Sequence, residues 1–278
     1  MKYPVVAFQG EYGAFSEQAA NGFFSRPVKK IPLKSFEEVF ECVHRKKADF
    51  GVIPIENSLY GSVHQNYDLL EKYHLHIIGE IKLRVVHALL VNKGVTLQQV
   101  KYIYSHPQAL GQCKDFLSRL NHVEVIAAYD TAGAAKAIKE DRRDDAAAIA
   151  SLEAARAYGL KVLRRGIESN HENYTRFLLI SKKKRVATKH AKTSIIFSME
   201  NVPGALFRAL SVFALRDIDL YKIESRPIIG KPWEYLFYLD FQGSIKDEPC
   251  RNAIAHLREI TTYLKILGSY QTGKTMTQ

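Results

Sequence analysis

The residues with the clearest chemical potential lie in ENYTRFLLI, residues 172–180, where polar side chains lead directly into an apolar run. Side chains alternate between the two faces of a strand, so Thr175 and Phe177 are predicted to share one face and Arg176 to take the other. A threonine hydroxyl can donate a hydrogen bond to an oxygen that gains charge, and a guanidinium suits a carboxylate. The stretch therefore predicts a polar site at the open end of a strand that its apolar half anchors in the core.

Four other polar clusters follow predicted strands in the first 180 residues. They are QGEYGAFS, PIENSLYGS, SHPQAL and DTAGAA, at residues 9–16, 54–62, 105–110 and 130–135. Ligands of open α/β sheets bind at the carboxyl ends of the strands, where helix N-termini offer N–H groups to anions. These turns are predicted to meet in one cleft that binds a small anion.

Each cluster also has a purely structural interpretation. Ser16, Ser58 and Thr131 suit helix caps, and a lone His106 is more often a hydrogen-bonded structural histidine than a base. Glu56 is different, because a carboxylate that directly follows a buried strand needs a partner or a perturbed pKa. The prediction therefore depends on all the strand ends together and not on any one of them.

The elements that position these clusters alternate between short apolar runs and helical patterns from residue 3 to residue 180. This order predicts a mostly parallel sheet with helices on both faces. The halves before about residue 80 and after residue 90 each resemble a complete unit, so two lobes with a cleft are expected. In SFEEVFECVHRKK, Ser35 and Glu38 have capping-box spacing, and apolar residues recur at i, i+3, i+4 and i+7.

The remainder of the chain predicts a second domain. Residues 182–191 are charged and lack an apolar period, which is typical of a linker. Residues 192–271 read β-α-β-β-α-β, the order of a ferredoxin-like unit, with one face of the first helix formed by Leu206, Leu210 and Phe213. Residues 272–278 are predicted to be a frayed tail.

The composition of the chain favours some classes of ligand over others. The chain has 278 residues, 46% of them hydrophobic, and a formal charge of +11, which raises the local concentration of anions. Without base-stacking motifs or zinc spacing, small acids are favoured over nucleic acid or metal. Cys42, Cys113 and Cys250 form no disulfide or metal pattern, which indicates the reducing cytoplasm. No signal peptide or membrane-spanning run is predicted.

The segments GVIPIENSLYGSV, SHPQALGQC, NYTRFLLI and IESRP together resemble the prephenate dehydratase family over about residues 3–270. The resemblance implies a two-lobed, periplasmic-binding-protein-like catalytic domain at residues 1–181 and an ACT regulatory domain at residues 192–271. It implies the conversion of prephenate to phenylpyruvate, carbon dioxide and water, without a cofactor, in a homodimer or homotetramer paired through the ACT domains. The first strand begins at Tyr3, so we expect a monofunctional enzyme with no preceding chorismate mutase domain.

The resemblance places Thr175 at the catalytic position, as a donor to the departing oxygen. His106 or Glu56 is expected to supply the proton, Glu56 only if burial raises its pKa. Arg176 is expected either to bind the pyruvyl carboxylate, which survives the reaction, or to point away and brace Glu56 or another acid. The predicted substrate-binding residues are Asn57, Ser58, Ser105, Gln108, Thr131, Ala132, Phe177 and Ser16.

Phenylalanine is the inhibitor that the resemblance implies for the second domain. A glycine turn before a helix offers free N–H groups to a carboxylate, whereas IESRP alone suggests a salt bridge at a sheet edge. A non-enzymatic amino-acid sensor and a nucleic-acid-binding regulator remain alternatives, and arogenate is a possible second substrate. The predicted phenylalanine site comprises Asn201, Val202, Pro203, Gly204, Ala205, Leu206, Glu224, Ser225, Arg226 and Pro227.

Overall fold

The structure is a computed structural model that describes residues 3–228 and 230–277. The first lobe contains β1 Val5–Gln9, α1 Phe15–Phe23, β2 Lys29–Leu33, α2 Phe36–His44, β3 Phe50–Asn57, β4 Gly61–Ser62, α3 His64–Lys72 and β5 His76–Arg84. The second lobe contains β6 Ala88–Val91, a 3-10 turn Leu97–Gln99, β7 Tyr102–Ser105, α4 Pro107–Gln112, α5 Lys114–Leu117, β8 Glu124–Ala127, α6 Thr131–Glu140, β9 Ala146–Ala150, α7 Leu152–Tyr158 and β10 Lys161–Arg165. The remaining elements are β11 Tyr174–Ser181, β12 Ala191–Ser198, α8 Ala205–Ala214, β13 Leu220–Pro227, β14 Tyr235–Gln242, α9 Glu248–Glu259, β15 Tyr263–Gln271 and β16 Thr275–Met276.

The first lobe is completed by a strand from later in the chain. Its sheet has the order β16-β5-β11-β3-β1-β2, with β4 paired to β3, and β11 runs antiparallel to both of its neighbours. The second sheet has the order β10-β6-β9-β7-β8. The prediction that each half of the chain forms a complete unit is therefore wrong. The sheets are also mixed and not mostly parallel, because the chain crosses between the lobes twice and returns in the opposite direction.

Local signals in α2 are confirmed. The Ser35 hydroxyl accepts a hydrogen bond from the Glu38 N–H at 3.2 Å, and the Glu38 carboxylate accepts the Ser35 N–H at 3.3 Å. This capping box satisfies backbone groups that the first turn of a helix leaves unpaired. Val39, Phe40 and Val43 of the same helix are fully or almost fully buried.

The strand that carries Thr175 is buried on both faces. Phe177 and Leu179 pack into a core that both lobes share, whereas Leu178 and Ile180 pack into a second core that also includes residues of the third sheet. The predicted alternation along this strand is therefore confirmed. Burial on both faces holds the strand firmly, so that its polar start has a defined position.

The third sheet belongs to the C-terminal domain, which we define as residues 191–271. Its order is β13-β14-β12-β15, the ferredoxin-like topology that the predicted element order requires. Helices α8 and α9 cover one face of this sheet, and the other face packs on the first lobe. Leu206, predicted to face the core from α8, is instead 39% exposed, while Ala209, Val212 and Phe213 of that helix are buried.

Residues 273–276, which follow β15, return to the first lobe, so the expectation that they belong to a frayed tail is wrong. Thr275 and Met276 of β16 pair in parallel with Lys82 and Leu83 of β5. The N–H of Gly273 donates to Glu80 at 2.9 Å. A two-residue strand carries no period that a sequence can display, and only the free edge of β5 makes it form.

Buried charges join the C-terminal domain to the first lobe. The Arg176 guanidinium lies 2.7 Å from Glu80 of the first lobe and 2.6 Å from Asp240 of β14. Lys192 of β12 lies 2.9 Å from Glu80. Breaking such a cluster leaves an unpaired charge in the interior. The cluster is therefore expected to hold the two domains in one arrangement.

Acidification is expected to weaken this junction through Glu80. Burial alone raises the pKa of this carboxyl, but Arg176, Lys192 and the N–H of Gly273 together hold the pKa below its ordinary value. A depressed pKa stabilises the fold fully above the pKa of the unfolded chain, and that stability is lost as the pH falls through the folded pKa.

We therefore expect the free energy of unfolding, measured with urea between pH 3 and pH 7, to fall more steeply with acid in the wild type than in Glu80→Gln. The variant is expected to be the less stable of the two at pH 7. If the free energy of unfolding fell equally with acid in both proteins, Glu80 would not contribute to the acid sensitivity.

Candidate active site

Thr175 is the second residue of β11, and it pairs with Asn57, the last residue of β3. The Asn57 Nδ2 donates to the Thr175 Oγ1 at 3.0 Å. The orientation of this amide is determined by the backbone, because the N–H groups of Leu59 and Tyr60 donate to Asn57 Oδ1 at 3.0 and 3.1 Å and can only donate. Thr175 therefore accepts from Asn57, and its own hydroxyl proton is left to donate to another oxygen.

Asn57 was predicted to bind substrate, but in the structure its side chain forms hydrogen bonds within the protein. It is 7% exposed, and its Nδ2 also donates to Asn173 Oδ1 at 2.8 Å and to the Tyr174 carbonyl at 3.2 Å. Its polar atoms are thus engaged within the protein, and it holds the start of β11. Asn173 is fully buried and was not predicted, although it belongs to the ENYTRFLLI stretch.

Replacing Asn57 by aspartate is expected to lower kcat by about 10-fold to 10²-fold, since orientation errors alone have effects of that size. The carboxylate still accepts the Leu59 and Tyr60 N–H groups, but it accepts the Thr175 proton instead of donating to Thr175. Steady-state kinetics measures the loss, and circular dichroism checks that the fold is retained. An unchanged kcat would show that Asn57 does not orient Thr175.

Ser58 lies beside this pair and also serves the backbone. Its hydroxyl donates to the Glu172 carbonyl at 2.8 Å and accepts the Tyr174 N–H at 2.9 Å. The predicted alternative of a helix cap does not apply, because no helix begins at this residue. Ser58 ties the turn after β3 to the start of β11, although the residue itself remains exposed.

Arg176 and Glu56 face the opposite side of the sheet from Thr175. Phe177 pairs with Pro54 and Arg176 with Glu56, so Ile55 is the extra residue of a β-bulge next to the site. Of the two alternatives for Arg176, the structure has the one in which the guanidinium braces acids, at 9% exposure of the residue.

The position of Glu56 also bears on the identity of the proton donor. Its side chain is 34% exposed and lies 3.0 Å from the Lys222 ammonium and 3.7 Å from the Arg176 guanidinium. The deep burial that its proposed role as a proton donor required is absent. His106 is the other predicted donor.

His106 follows β7 and caps α4 with its ring. Its Nδ1 accepts the Gln108 N–H at 3.2 Å, so the neutral ring carries its proton on Nε2. The capping role therefore leaves the Nε2–H able to donate a hydrogen bond, although a neutral ring does not supply the proton of the reaction. The Gln108 residue is exposed, whereas the buried Ser105 hydroxyl donates to the Ile149 carbonyl at 2.6 Å and is not available to a ligand.

The strand ends of the two lobes meet, as the polar clusters predict. The Asp130 carboxylate accepts the Glu11 N–H at 3.1 Å, and Ser151 donates to the Gly13 carbonyl at 2.6 Å. Gly13 has φ +88°, and a Cβ there would lie 2.7 Å from the Ala154 nitrogen, so only glycine allows this approach.

The turn after β3 reaches the second lobe as well. A Cβ at Gly111 of α4 would lie 2.8 Å from the Tyr60 hydroxyl, so this turn contacts the helix that His106 caps. The turn after β3 therefore contacts both α4 and the start of β11, and the turn after β1 contacts the start of α6.

Asp130 is a residue that the sequence interpretation overlooked within DTAGAA. It caps α6 by accepting the Gly133 N–H at 3.1 Å, the role considered for Thr131, which is only half-buried at the first helical position. Burial raises the pKa of the Asp130 carboxyl even though backbone N–H groups donate to it. An aspartate three residues before the glycine whose N–H it accepts was the available signal.

Three residues predicted to bind substrate have buried side chains instead. Phe177 and Ala132 are 2% and 0% exposed and belong to the core that the two lobes share. Ser16 is 6% exposed in the first turn of α1, whose cap residue is Ala14. Their side chains are therefore not available to a ligand.

The predicted phenylalanine site is divided between two faces. Residues 201–204 are exposed, and Gly204 begins α8 with φ +76°. Ser225 and Pro227 of β13 are also exposed, and half-buried Ala205 and exposed Leu206 lie in the first turn of α8. Glu224 and Arg226 instead face the first lobe, where they contact Ser62 and Asp68 at 2.7 and 2.8 Å.

The described residues include no cluster of three or more histidine, cysteine, aspartate or glutamate side chains suited to a metal ion. The three cysteines are buried, free thiols. Over residues 3–228 and 230–277, none of the helices has both the length and the apolarity to cross a membrane.

Fold and site together define a two-lobed α/β protein whose facing strand ends present a hydroxyl and an imidazole, joined to a ferredoxin-like domain. The profile of the prephenate dehydratase family matches residues 6–185. Arogenate dehydratase/prephenate dehydratase 2, chloroplastic, from Arabidopsis thaliana is 47% identical over 98% of this chain and 74% of the plant protein. The chain belongs to the prephenate dehydratase family.

Two solved structures have the same fold. A prephenate dehydratase from Arthrobacter aurescens in complex with L-Phe has a TM-score of 0.88 and 31% identity, covering 96% of this chain and 90% of that chain. GqqA, described as a novel type of quorum quenching acylase, has a TM-score of 0.88 and 32% identity, covering 97% of this chain and 98% of its own. The similarity extends through the C-terminal domain in both cases.

Proposed function

We propose that this protein catalyses the decarboxylating dehydration of prephenate to phenylpyruvate, carbon dioxide and water in phenylalanine biosynthesis. Family membership supports the reaction class. The observation that carries the proposal is the Thr175 hydroxyl, which accepts from Asn57 at 3.0 Å and keeps its own proton for a departing oxygen. A group that only binds a ligand does not require such an arrangement.

The reaction requires that the protein position the substrate and that the departing oxygen take up one proton. The electron pair of the carbon–carboxylate bond enters the ring, carbon dioxide departs, and the ring hydroxyl leaves as the ring becomes aromatic. Thr175 donates to the leaving oxygen, and that hydrogen bond strengthens as the oxygen gains charge. A hydrogen bond from the His106 Nε2–H adds to this stabilisation, and the departing oxygen takes from solvent the proton that completes the water molecule.

The substrate is tested by incubating the pure protein with prephenate and, separately, with arogenate, its amino analogue. The name of the plant relative includes both arogenate dehydratase and prephenate dehydratase. We expect phenylpyruvate absorbance to appear with prephenate. Turnover of arogenate alone would reassign the substrate within the same chemistry. Turnover of neither, with phenylalanine still bound, would favour the non-enzymatic sensor.

We further propose that residues 192–271 are an ACT domain whose α8 turn and β13 bind phenylalanine as a feedback inhibitor. The Arthrobacter aurescens relative was solved with L-Phe. In this chain residues 201–204, which precede α8, are exposed, and a helix N-terminus suits a carboxylate. The glycine at 204 permits the left-handed turn that precedes the helix.

Calorimetry on Gly204→Val is expected to show phenylalanine affinity lowered by at least about tenfold, because a β-branched residue opposes φ +76° and displaces the donors. Gly94→Val is the matched control. Gly94 also has positive φ, +92°, with open space around a Cβ, but it lies in the second lobe. Equal affinities in the two variants would place phenylalanine elsewhere.

We also propose that the protein forms a homodimer or homotetramer paired through the C-terminal domains. Large apolar side chains on this domain face solvent, including Phe207 at 76%, Leu215 at 77% and Trp233 at 77% exposure. Exposed apolar surface of this kind favours association. Light scattering at micromolar protein concentration measures the oligomer.

The cytoplasm remains the proposed location, supported by three buried, free thiols that suit a reducing compartment. The Arabidopsis thaliana relative carries the word chloroplastic in its name. Fractionation of the producing cells distinguishes these locations.

A further inference from the structure

A polar cluster outside the candidate active site connects the C-terminal domain to the turn after β3. The Lys222 ammonium lies 3.0 Å from Glu56, 3.0 Å from the Ser62 hydroxyl and 3.3 Å from Glu224. The Ser62 hydroxyl donates to Glu224 at 2.7 Å. We name these four residues, Glu56, Ser62, Lys222 and Glu224, the hairpin clamp.

The clamp closes around a short hairpin. Glu56 of β3 pairs with Ser62 of β4, so these two members of the clamp lie one residue pair from the turn formed by residues 58–60. Lys222 and Glu224 come from β13, on the strand face turned toward the first lobe. The Lys222 side chain is only 15% exposed, so the contact is shielded from solvent and its charges interact strongly.

The hairpin carries the group that orients Thr175. Asn57 immediately follows Glu56 and donates to the Thr175 hydroxyl at 3.0 Å. A shift of Glu56 moves Asn57 through one peptide bond, and displacements of about 1 Å near a reacting group have effects of about 10²-fold. Two residues, Glu56 and Asn57, and two hydrogen bonds thus connect Lys222 to Thr175.

We infer that Lys222 is a positioning residue, by which the C-terminal domain sets the geometry of the Thr175 hydroxyl through the hairpin clamp. This inference rests on the proposed dehydratase function. It makes the catalytic geometry dependent on the docked C-terminal domain, although that domain contributes no group to the reacting atoms.

The test compares Lys222→Met, Lys222→Arg and Asp68→Asn in the full-length protein. Methionine keeps the length of the side chain without its charge, and arginine keeps the charge. Asp68→Asn is the matched control, because it breaks the neighbouring ion pair that Arg226 of β13 makes with the first lobe at 2.8 Å without touching the hairpin.

We expect Lys222→Met to lower kcat by about 10-fold to 100-fold with KM changed less than about threefold. Lys222→Arg is expected to restore most of kcat, and Asp68→Asn to stay within about twofold of wild type. Each variant is checked by circular dichroism, and Ser62→Ala replaces Lys222→Met if that variant does not fold. Equal kcat values for Lys222→Met and Asp68→Asn would overturn the inference.

A double-mutant cycle with Thr175→Ala separates positioning from a general loss of structure. If Lys222 acts through the hydroxyl, Lys222→Met lowers the residual kcat of Thr175→Ala by less than about twofold. An equally large loss in both backgrounds would refute the inference. Failure of the proposed function is seen separately, as a wild-type protein that turns over neither prephenate nor arogenate.

Discussion

Thr175→Ala is expected to lower kcat by about 10²–10³-fold, the loss seen when one donor to a developing oxyanion is removed. KM is expected to change little, because the hydrogen bond strengthens only as the oxygen departs. The fold is expected to persist, since Asn57 Nδ2 keeps its other two acceptors, the Asn173 side chain and the Tyr174 carbonyl. Steady-state assays with prephenate measure the effect.

Thr175→Ser is the matched control for this substitution, because it retains the hydroxyl and loses only a methyl group. We expect it to keep kcat within about tenfold of wild type. If alanine and serine variants turn over substrate equally well, the hydroxyl does not assist the departing oxygen. The mechanism would then rely on His106 and on positioning alone.

The second large effect concerns stability. Arg176→Met is expected to lower the free energy of unfolding by about 3–5 kcal/mol, the range for breaking a buried ion pair from one side. The substitution removes the cation that lies 2.7 Å from Glu80 and 2.6 Å from Asp240. Burial, offset by these two carboxylates, leaves the pKa of Arg176 well above its ordinary value, so the side chain is charged at every relevant pH.

Urea denaturation at pH 7 measures this loss, with Arg156→Met as the control. Arg156 also pairs with a carboxylate, Glu153, but the two side chains are 73% and 40% exposed, and such a pair contributes about 0–1 kcal/mol. Arg176→Lys serves if the methionine variant does not fold. A stable Arg176→Met protein without turnover would instead assign Arg176 to the substrate.

Much of the fold followed from local patterns. The capping box at Ser35, the two-face burial of FLLI and the β-α-β-β-α-β order all depend on residues close together in the chain, whose periods a sequence displays directly. The path of β11 into the first lobe did not follow. Strand pairing over more than a hundred residues leaves no local period, so each half of the chain resembled a complete unit.

The candidate site divides in the same way. The resemblance to the family placed Thr175 at the catalytic position, and its face followed from alternation along the strand. Asn57 was predicted as a substrate ligand, yet its amide is engaged by Thr175, Asn173 and two backbone N–H groups. Whether an amide meets a ligand or the protein depends on neighbours that are distant in sequence.

By itself the sequence determined the family, the polar strand ends and the residue at the mouth of β11, because residue types in order carry that information. Only the tertiary structure decided that Arg176 turns toward Glu80 and Asp240, and that Lys222 reaches Glu56 from a different domain. Charged side chains are long, and their partners are whichever opposite charges the packing of distant strands brings within about 3 Å.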